Sequence, residues 1–262
     1  MARYPSGIPV KAILTYHSID DSGSAISVSR HAFEAHLRWM TSGGVRIVSL
    51  DALLAHPWDQ VDAVAITFDD GFENARGAVE RMLARGLPAT IFAVSRQAGG
   101  TNAWGGVSHP AIPTLPLLDW TALEQLVAQG AAVEAHTRTH RPLSRLSPTE
   151  MDDELLGCRD DLRARLGVNS AHLAYPYGDS DGAVVGRTGA FFRWGHTTEF
   201  QVLESTNDPL CLPRLDMYYF QATGAIEQWG TAAFRRRVAW CRARRRIRAR
   251  LLGGWAPRAR RT

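Results

Sequence analysis

Ala63-Val-Ala-Ile-Thr-Phe-Asp-Asp-Gly71 is an apolar run closed by two carboxylates and a glycine, with an amphipathic stretch, Glu73–Arg85, directly behind it. A short apolar run bounded by turn residues reads as a buried strand, and the stretch after it has the spacing of a helix that covers such a strand. Working outward, the same unit recurs. Strands are predicted at Ala12–Tyr16, Ala89–Val94, Ala131–Ala135, His172–Tyr175 and Phe191–Thr197, with a weaker one at Arg46–Ser49. Helices are predicted at Arg30–Thr41, Leu50–Ala55, Thr121–Gln129 and Pro148–Leu166, the last opened by Ser147 with Glu150 three residues on, a capping-box pattern. Strand and helix in alternation imply an α/β fold with a parallel sheet, and 262 residues suit a barrel of that class. Gln97–Pro116, rich in Gly, Pro, Asn and Thr, is expected to be a long loop near a site.

Polar residues stand at the C-terminal ends of these strands: His17, Asp69 and Asp70, His136, the segment Pro176-Tyr177-Gly178, His196 and Arg214. A parallel barrel gathers such positions on one face, where active sites are built. Asp69 and Asp70 repel each other unless a cation lies beside them, although one of them capping the next helix is an equally direct explanation. His136 and His140 share a face if that stretch turns helically, an arrangement that suits a transition metal; two solvated histidines would show the same spacing. A carboxylate with two histidines and open positions is a recurrent catalytic metal triad, and the combination points to chemistry more strongly than either part. His31, His36, His56, His109 and His172 have no partner spacing and are expected to be structural or superficial. No phosphate-cradling Gly-rich loop, Gly-x-Ser-x-Gly elbow or Cys-His nucleophile pattern is present.

Hydrophobic residues make up 45% and charged residues 21%, which excludes disordered, collagenous and coiled-coil chains. The net charge of +4 conceals an asymmetry. Residues 1–234 carry 18 basic against 26 acidic side chains, whereas 12 arginines and no acid lie in the last 28 residues. Cys158, Cys211 and Cys241 are odd in number and unpatterned, so reduced thiols are expected. The N-terminus lacks a signal-like apolar run and nothing approaches a transmembrane length, which makes a cytoplasmic location the expectation.

Thr67-Phe-Asp-Asp-Gly71, His136-Thr-Arg-Thr-His140 and Leu173-Ala-Tyr-Pro-Tyr-Gly178, in that order, resemble the polysaccharide deacetylase family, the NodB-homology group or carbohydrate esterase family 4. Asp119-Trp120 before a helix and the opening Leu14-Thr-Tyr-His-Ser-Ile19 fit as well, and the likeness spans roughly residues 10–220. The resemblance implies a distorted (β/α) barrel, placed at residues 1–228; the arginine content of residues 229–262 marks them as a separate C-terminal helical tail. The resemblance also implies a metal-dependent hydrolase that removes an acetyl group from an N-acetylated amino sugar or oligosaccharide. Asp70, His136 and His140 would hold a divalent metal, zinc foremost, with cobalt, nickel or manganese as alternatives. Asp69 would be the general base, the Tyr177 N–H would meet the oxyanion, and Tyr175, Pro176 and Trp120 would line the sugar groove.

Two departures from the family pattern bear on this reading. Where the third motif usually carries an arginine that orients the base, this chain has Ala174, and Arg214 is the expected replacement. The Leu-x-His motif that commonly supplies the general acid is absent, which leaves His17, slightly favoured, and His196, with water in the metal shell as a third route. Two competing functions keep the fold: hydrolysis of a small non-sugar amide or cyclic imide, and a degenerate glycan-binding module. For the tail, a helix docked on the barrel or an anionic membrane surface is the expected partner, placing the enzyme at the inner membrane face; nucleic acid is disfavoured for want of a recognition motif.

Overall fold

The computed structural model describes residues 9–55 and 61–252, with side chains as far as Ile247. His56 and the arginines at 258, 260 and 261 lie outside the described residues. The chain runs through β1 (Lys11–Tyr16), the two-residue strands β2 (Ser18–Ile19) and β3 (Ser27–Val28), α1 (Arg30–Thr41), β4 (Arg46–Ile47), α2 (Leu50–Ala55) and β5 (Ala63–Phe68). It continues with α3 (Arg76–Leu83), β6 (Thr90–Ala93), α4 (Trp120–Ala128), β7 (Ala132–Ala135), α5 (Pro148–Leu166), β8 (His172–Ala174), α6 (Gly182–Thr188), β9 (Trp194–His196), β10 (Leu215–Asp216) and α7 (Ala232–Leu252).

The main sheet has the order β10-β1-β5-β6-β7-β8-β9, with β4 added beside the first residues of β5, and every pairing is parallel. A parallel bridge between His196 and Leu212 joins the far edge back to the strip that leads into β10. The result is the distorted barrel expected of the sequence. Strand alternation sorts its two cores. Val64, Ile66 and Phe68 of β5 face the outer core under the helices, whereas Ala63 and Ala65 face inward with Ile13, Phe92, Ala174 and Leu212. Ala63, Ala65 and Ala174 leave room for Ile13, Phe92 and Leu212 in a narrow interior, and Leu50 and Leu53 of α2 fill the end where the strands begin.

Local chemistry sets the helix ends. The Ser147 side chain accepts from the Glu150 N–H while Glu150 reaches back to the Ser147 N–H, and Gly167 ends α5 in the left-handed conformation at φ 70°. The expected helix Glu73–Arg85 is one tight turn, Glu73–Ala75, followed by α3. The expected strand Phe191–Thr197 shortens to β9, because the Phe191 and Phe192 amides turn back onto the Thr188 carbonyl at the end of α6. Phe234, Val238 and Cys241 of α7 enter the outer core. The three cysteines are free thiols, two of them buried.

Candidate active site

Strand ends deliver the site. β5 runs into Asp69 and Asp70, β7 into His136, β1 into His17, and the strip before β10 carries Arg214. Asp70 Oδ1 lies 3.1 Å from His136 Nε2 and 3.2 Å from His140 Nε2, with all three residues buried. The His136 Nδ1–H donates to the Ala174 carbonyl at 2.8 Å, which leaves the Nε2 lone pair turned toward the carboxylate. Asp70 Oδ1 itself receives no hydrogen bond. Buried acceptors do not face one another at such range without a positive charge between them, and two imidazole nitrogens with one carboxylate oxygen suit a divalent transition metal. The residues therefore fit a metal ion. Backbone strain converges on the same spot. Among the described residues, the non-glycine positions with positive φ are Asp70, Thr137, His140 and Tyr177, all in this site. Left-handed backbone at non-glycine residues costs about 1–3 kcal/mol each and persists where the surroundings over-determine it.

Asp69 points into the barrel mouth beside this cluster. Both of its oxygens accept from Arg214, Nη1 to Oδ1 and Nη2 to Oδ2, each at 2.7 Å, while Arg214 Nε donates to the Thr197 carbonyl at 3.1 Å. Burial alone would raise the Asp69 pKa; Arg214, His17 and His136 outweigh it and hold the carboxyl below its ordinary value. Ala174, where the family pattern has arginine, is buried in the inner core. Arg214 thus reaches the same carboxylate from the other edge of the sheet. His17 Nε2 stands 3.8 Å from Asp69 Oδ2, and its side chain keeps 23% of its surface exposed.

Four of the expected site residues lie away from the cluster of Asp69, Asp70, His136 and His140. His196 points inside the barrel, fully buried, with Nε2 3.0 Å from His172 Nδ1. Burial, reinforced by His172 and Arg214, holds its pKa well below the ordinary value, and the same burial keeps it out of contact with the mouth. Tyr175 follows inward-facing Ala174 and must face outward; its ring is buried in the outer core and its hydroxyl donates to the Leu210 carbonyl at 2.8 Å. Pro176 is buried as well. Trp120 opens α4 under the Arg165 guanidinium, 5.7 Å away, and packs on the outer core, while Asp119 caps that helix through the Ala122 N–H. Tyr175 and Pro176 are buried, whereas Trp120 is half-buried against the outer core.

Other contributors escaped the sequence reading. Trp104, from the long loop, stacks on His140 with centroids 4.3 Å apart, and Tyr177 meets the same ring edge-on at 4.6 Å. Buried Glu154 of α5 accepts the Thr139 N–H at 2.8 Å and the Thr139 hydroxyl, pinning the turn between the two histidines. Arg138, inside that turn, is tied to Asp161 and Asp153 of the same helix. Deeper in the barrel, Asp51 Oδ1 lies 3.1 Å from His172 Nε2 and extends the His172–His196 row toward α2. A solitary loop tryptophan and one acid among many on a helix carry no spacing signal. Gly178 is the exception, since any Cβ there would lie 2.1 Å from Thr198 Oγ1.

Comparison with known proteins agrees with this geometry. The family model described as polysaccharide deacetylase matches residues 59–190. Among curated proteins, YxkH of Bacillus subtilis (strain 168), named as a polysaccharide deacetylase, is 27% identical over 179 residues, covering 66% of this chain and 58% of its own. An uncharacterised protein of Streptomyces coelicolor is 30% identical over 118 residues, 45% of this chain and 40% of its own. The chain thus spans less than two thirds of the length of either relative. Among solved structures, IcaB from Ammonifex degensii superposes with a TM-score of 0.68 at 22% identity, covering 89% of this chain and 97% of its own. A polysaccharide deacetylase from Bacillus cereus does so at 0.68 and 21%, covering 88% and 69%. The Streptococcus pyogenes deacetylase PplD, solved with acetate, gives 0.67 and 20%, covering 80% and 93%. At these identities the structural likeness is one of fold.

Proposed function

The chain belongs to the polysaccharide deacetylase family, and on that premise we propose that it removes the N-linked acetyl group of an N-acetylated amino sugar in a glycan or glycan precursor, with a divalent metal held by Asp70, His136 and His140. The observation that carries this reading is the pairing of two adjacent carboxylates with different partners. Asp70 faces two imidazole nitrogens, while Asp69, next in line, is held by a guanidinium with both oxygens and left beside a histidine at the mouth. When bound, the metal supplies Lewis acidity toward the acyl oxygen and toward water.

The residues of the chain do the rest. Asp69 takes a proton from the attacking water. Arg214 fixes the orientation of that carboxylate and keeps it ionised in a buried setting. His17, in its protonated form, gives a proton to the departing nitrogen, so that acetate and free amine leave. The Tyr177 N–H donates to the tetrahedral oxyanion. Trp104 and Tyr177 on either side of His140 keep water from that ligand and offer ring surface at the mouth. The deciding experiment is acetate release from N-acetylglucosamine oligomers by purified protein with its metal content measured. Acetate in proportion to bound metal supports the reading. Metal-loaded protein that releases no acetate from any N-acetylated sugar but opens a cyclic imide would transfer it to the small-amide alternative.

A further inference from the structure

Helix α7 has two unlike sides. One is built into the body: Phe234, Val238 and Cys241 are buried in the outer core. On the same flank, Arg242 and Arg246 each donate to Glu199 Oε1 at 2.7 Å, and Arg245 donates to the Thr198 carbonyl at 3.0 Å. These arginines are consumed by the barrel. The other side carries Trp240 and Ile247, 55% and 57% exposed, among the few large apolar side chains that the described residues leave in solvent. Seven residues apart, they lie on one line of the helix, and helical spacing places Arg236 and Arg244 beside them. The Arg244 guanidinium sits over the Trp240 ring at 4.4 Å. No acidic residue follows Glu227 in the chain.

We propose that this outward face of α7 docks on an anionic phospholipid bilayer. The charge of the face is wholly positive, which selects an acidic surface. A soluble polyanion would be satisfied by the arginines alone and gives no reason to hold an exposed tryptophan and isoleucine in register. A bilayer interface accepts both, the rings and branched carbons at the acyl boundary and the guanidinium groups among the headgroups. The helix is long enough to lie along such a surface while its opposite side stays packed. Its position has a further meaning. Arg245 holds Thr198, whose hydroxyl donates to the Tyr177 carbonyl at 3.4 Å, so the packed flank of α7 borders the rim of the site. The proposal concerns where the protein sits and stands apart from the identity of its substrate.

The test is flotation of the full chain with vesicles of phosphatidylcholine and phosphatidylglycerol, against vesicles of phosphatidylcholine alone. The wild type is expected to float with the anionic vesicles only. Trp240→Ser with Ile247→Ser, which keeps every charge, should weaken binding by roughly 10- to 100-fold. Arg236→Gln with Arg244→Gln should weaken it on the order of tenfold. An independent reading needs no loss of fold: lipids brominated in the acyl chain should quench tryptophan fluorescence in the wild type, and that quenching should be lost in Trp240→Phe. Failure of the wild type to float overturns the proposal. So does full vesicle binding by the double apolar variant together with equal affinity for a DNA duplex, which would make the face a general polyanion site.

Discussion

At the scale of single residues, the pair Asp69–Arg214 carries the proposed chemistry. A buried carboxylate with both oxygens engaged by one guanidinium loses far more than a hydrogen bond when the arginine goes. Arg214→Ala should destabilise the protein by about 3–5 kcal/mol in urea denaturation, since it leaves a charge buried and unpaired. Arg214→Lys keeps the charge but cannot engage both oxygens, and it should lower kcat by roughly 100-fold with bound metal unchanged. Wild-type turnover in the lysine variant would remove Arg214 from the mechanism. The two histidines once in competition also separate here. His17→Asn should depress kcat by about 100-fold or more with metal retained. His196→Asn should leave kcat within a few fold while costing about 1–3 kcal/mol of stability, because it breaks into a buried row. The sequence marked both as polar residues at strand ends. Which of them opens to the mouth depends on the phase of strand alternation and on depth in the barrel, and neither is written in the spacing.

At the scale of elements, the turn from His136 to His140 is held from outside the site. Thr137 and His140 both adopt positive φ, and α5 fixes the turn through Glu154 and Asp161. Glu154→Ala should therefore lower metal affinity by about 10- to 100-fold in a chelator competition, whereas Glu154→Gln, which still accepts the Thr139 N–H, should retain most of it. Equal affinity in both variants and the wild type would show that the turn holds itself. Helix α1 makes a second, separate point. His36 is buried, with Nδ1 3.0 Å from the Tyr16 hydroxyl and Nε2 3.1 Å from the Phe220 carbonyl. Burial holds its pKa below the ordinary value, as it does for His172 and His196. The unfolded chain then binds protons that the folded one refuses. Stability is full above the unfolded value of about 6.5 and falls as pH drops below it, by up to ~1.4 kcal/mol per pH unit for each such histidine. Buried Glu134, pushed up to about 7, acts in the opposite direction over part of this range, so the check is a comparison of variants: His36→Asn should reduce the fall of the urea midpoint between about pH 6.5 and 5.5 relative to the wild type, and an unchanged pH profile would contradict this. α1, α2 and α5 were legible to the residue because caps and apolar period agree. α6 was not, since Gly182-Ala-Val-Val-Gly186 weakens the helical signal, and β10 is too short to have a period.

For the whole molecule, the proposed metal would be linked to the fold. An ion that binds only the native state stabilises it by RT ln(1 + [M]/Kd), so removal of metal by a chelator should lower Tm, and the difference should vanish in Asp70→Asn. A chelator-independent Tm in the wild type would mean that the three ligands hold no ion. The barrel itself was legible from alternating strand and helix signals, and the metal-type cluster from the Asp-Asp and His-x-x-x-His spacings. The groove residues were not: Tyr175 and Trp120 went to the outer core for reasons of alternation and helix packing that operate in three dimensions. Removal of α7 would uncover the core around Phe234, Val238 and Cys241, so substitutions on its outward face are the cleaner probe of its role.

Chain order gives the barrel's closing strip a consequence in time. A ribosome finishes the three metal-ligand positions at His140, but the strip that touches β9 through Leu212 and β1 through Leu215 emerges later, and Arg214 comes with it. A nascent chain that has not sealed this edge has Asp69 without its counter-charge. The proposed hydrolytic competence therefore waits for the closure of the barrel, after every proposed metal ligand has been made.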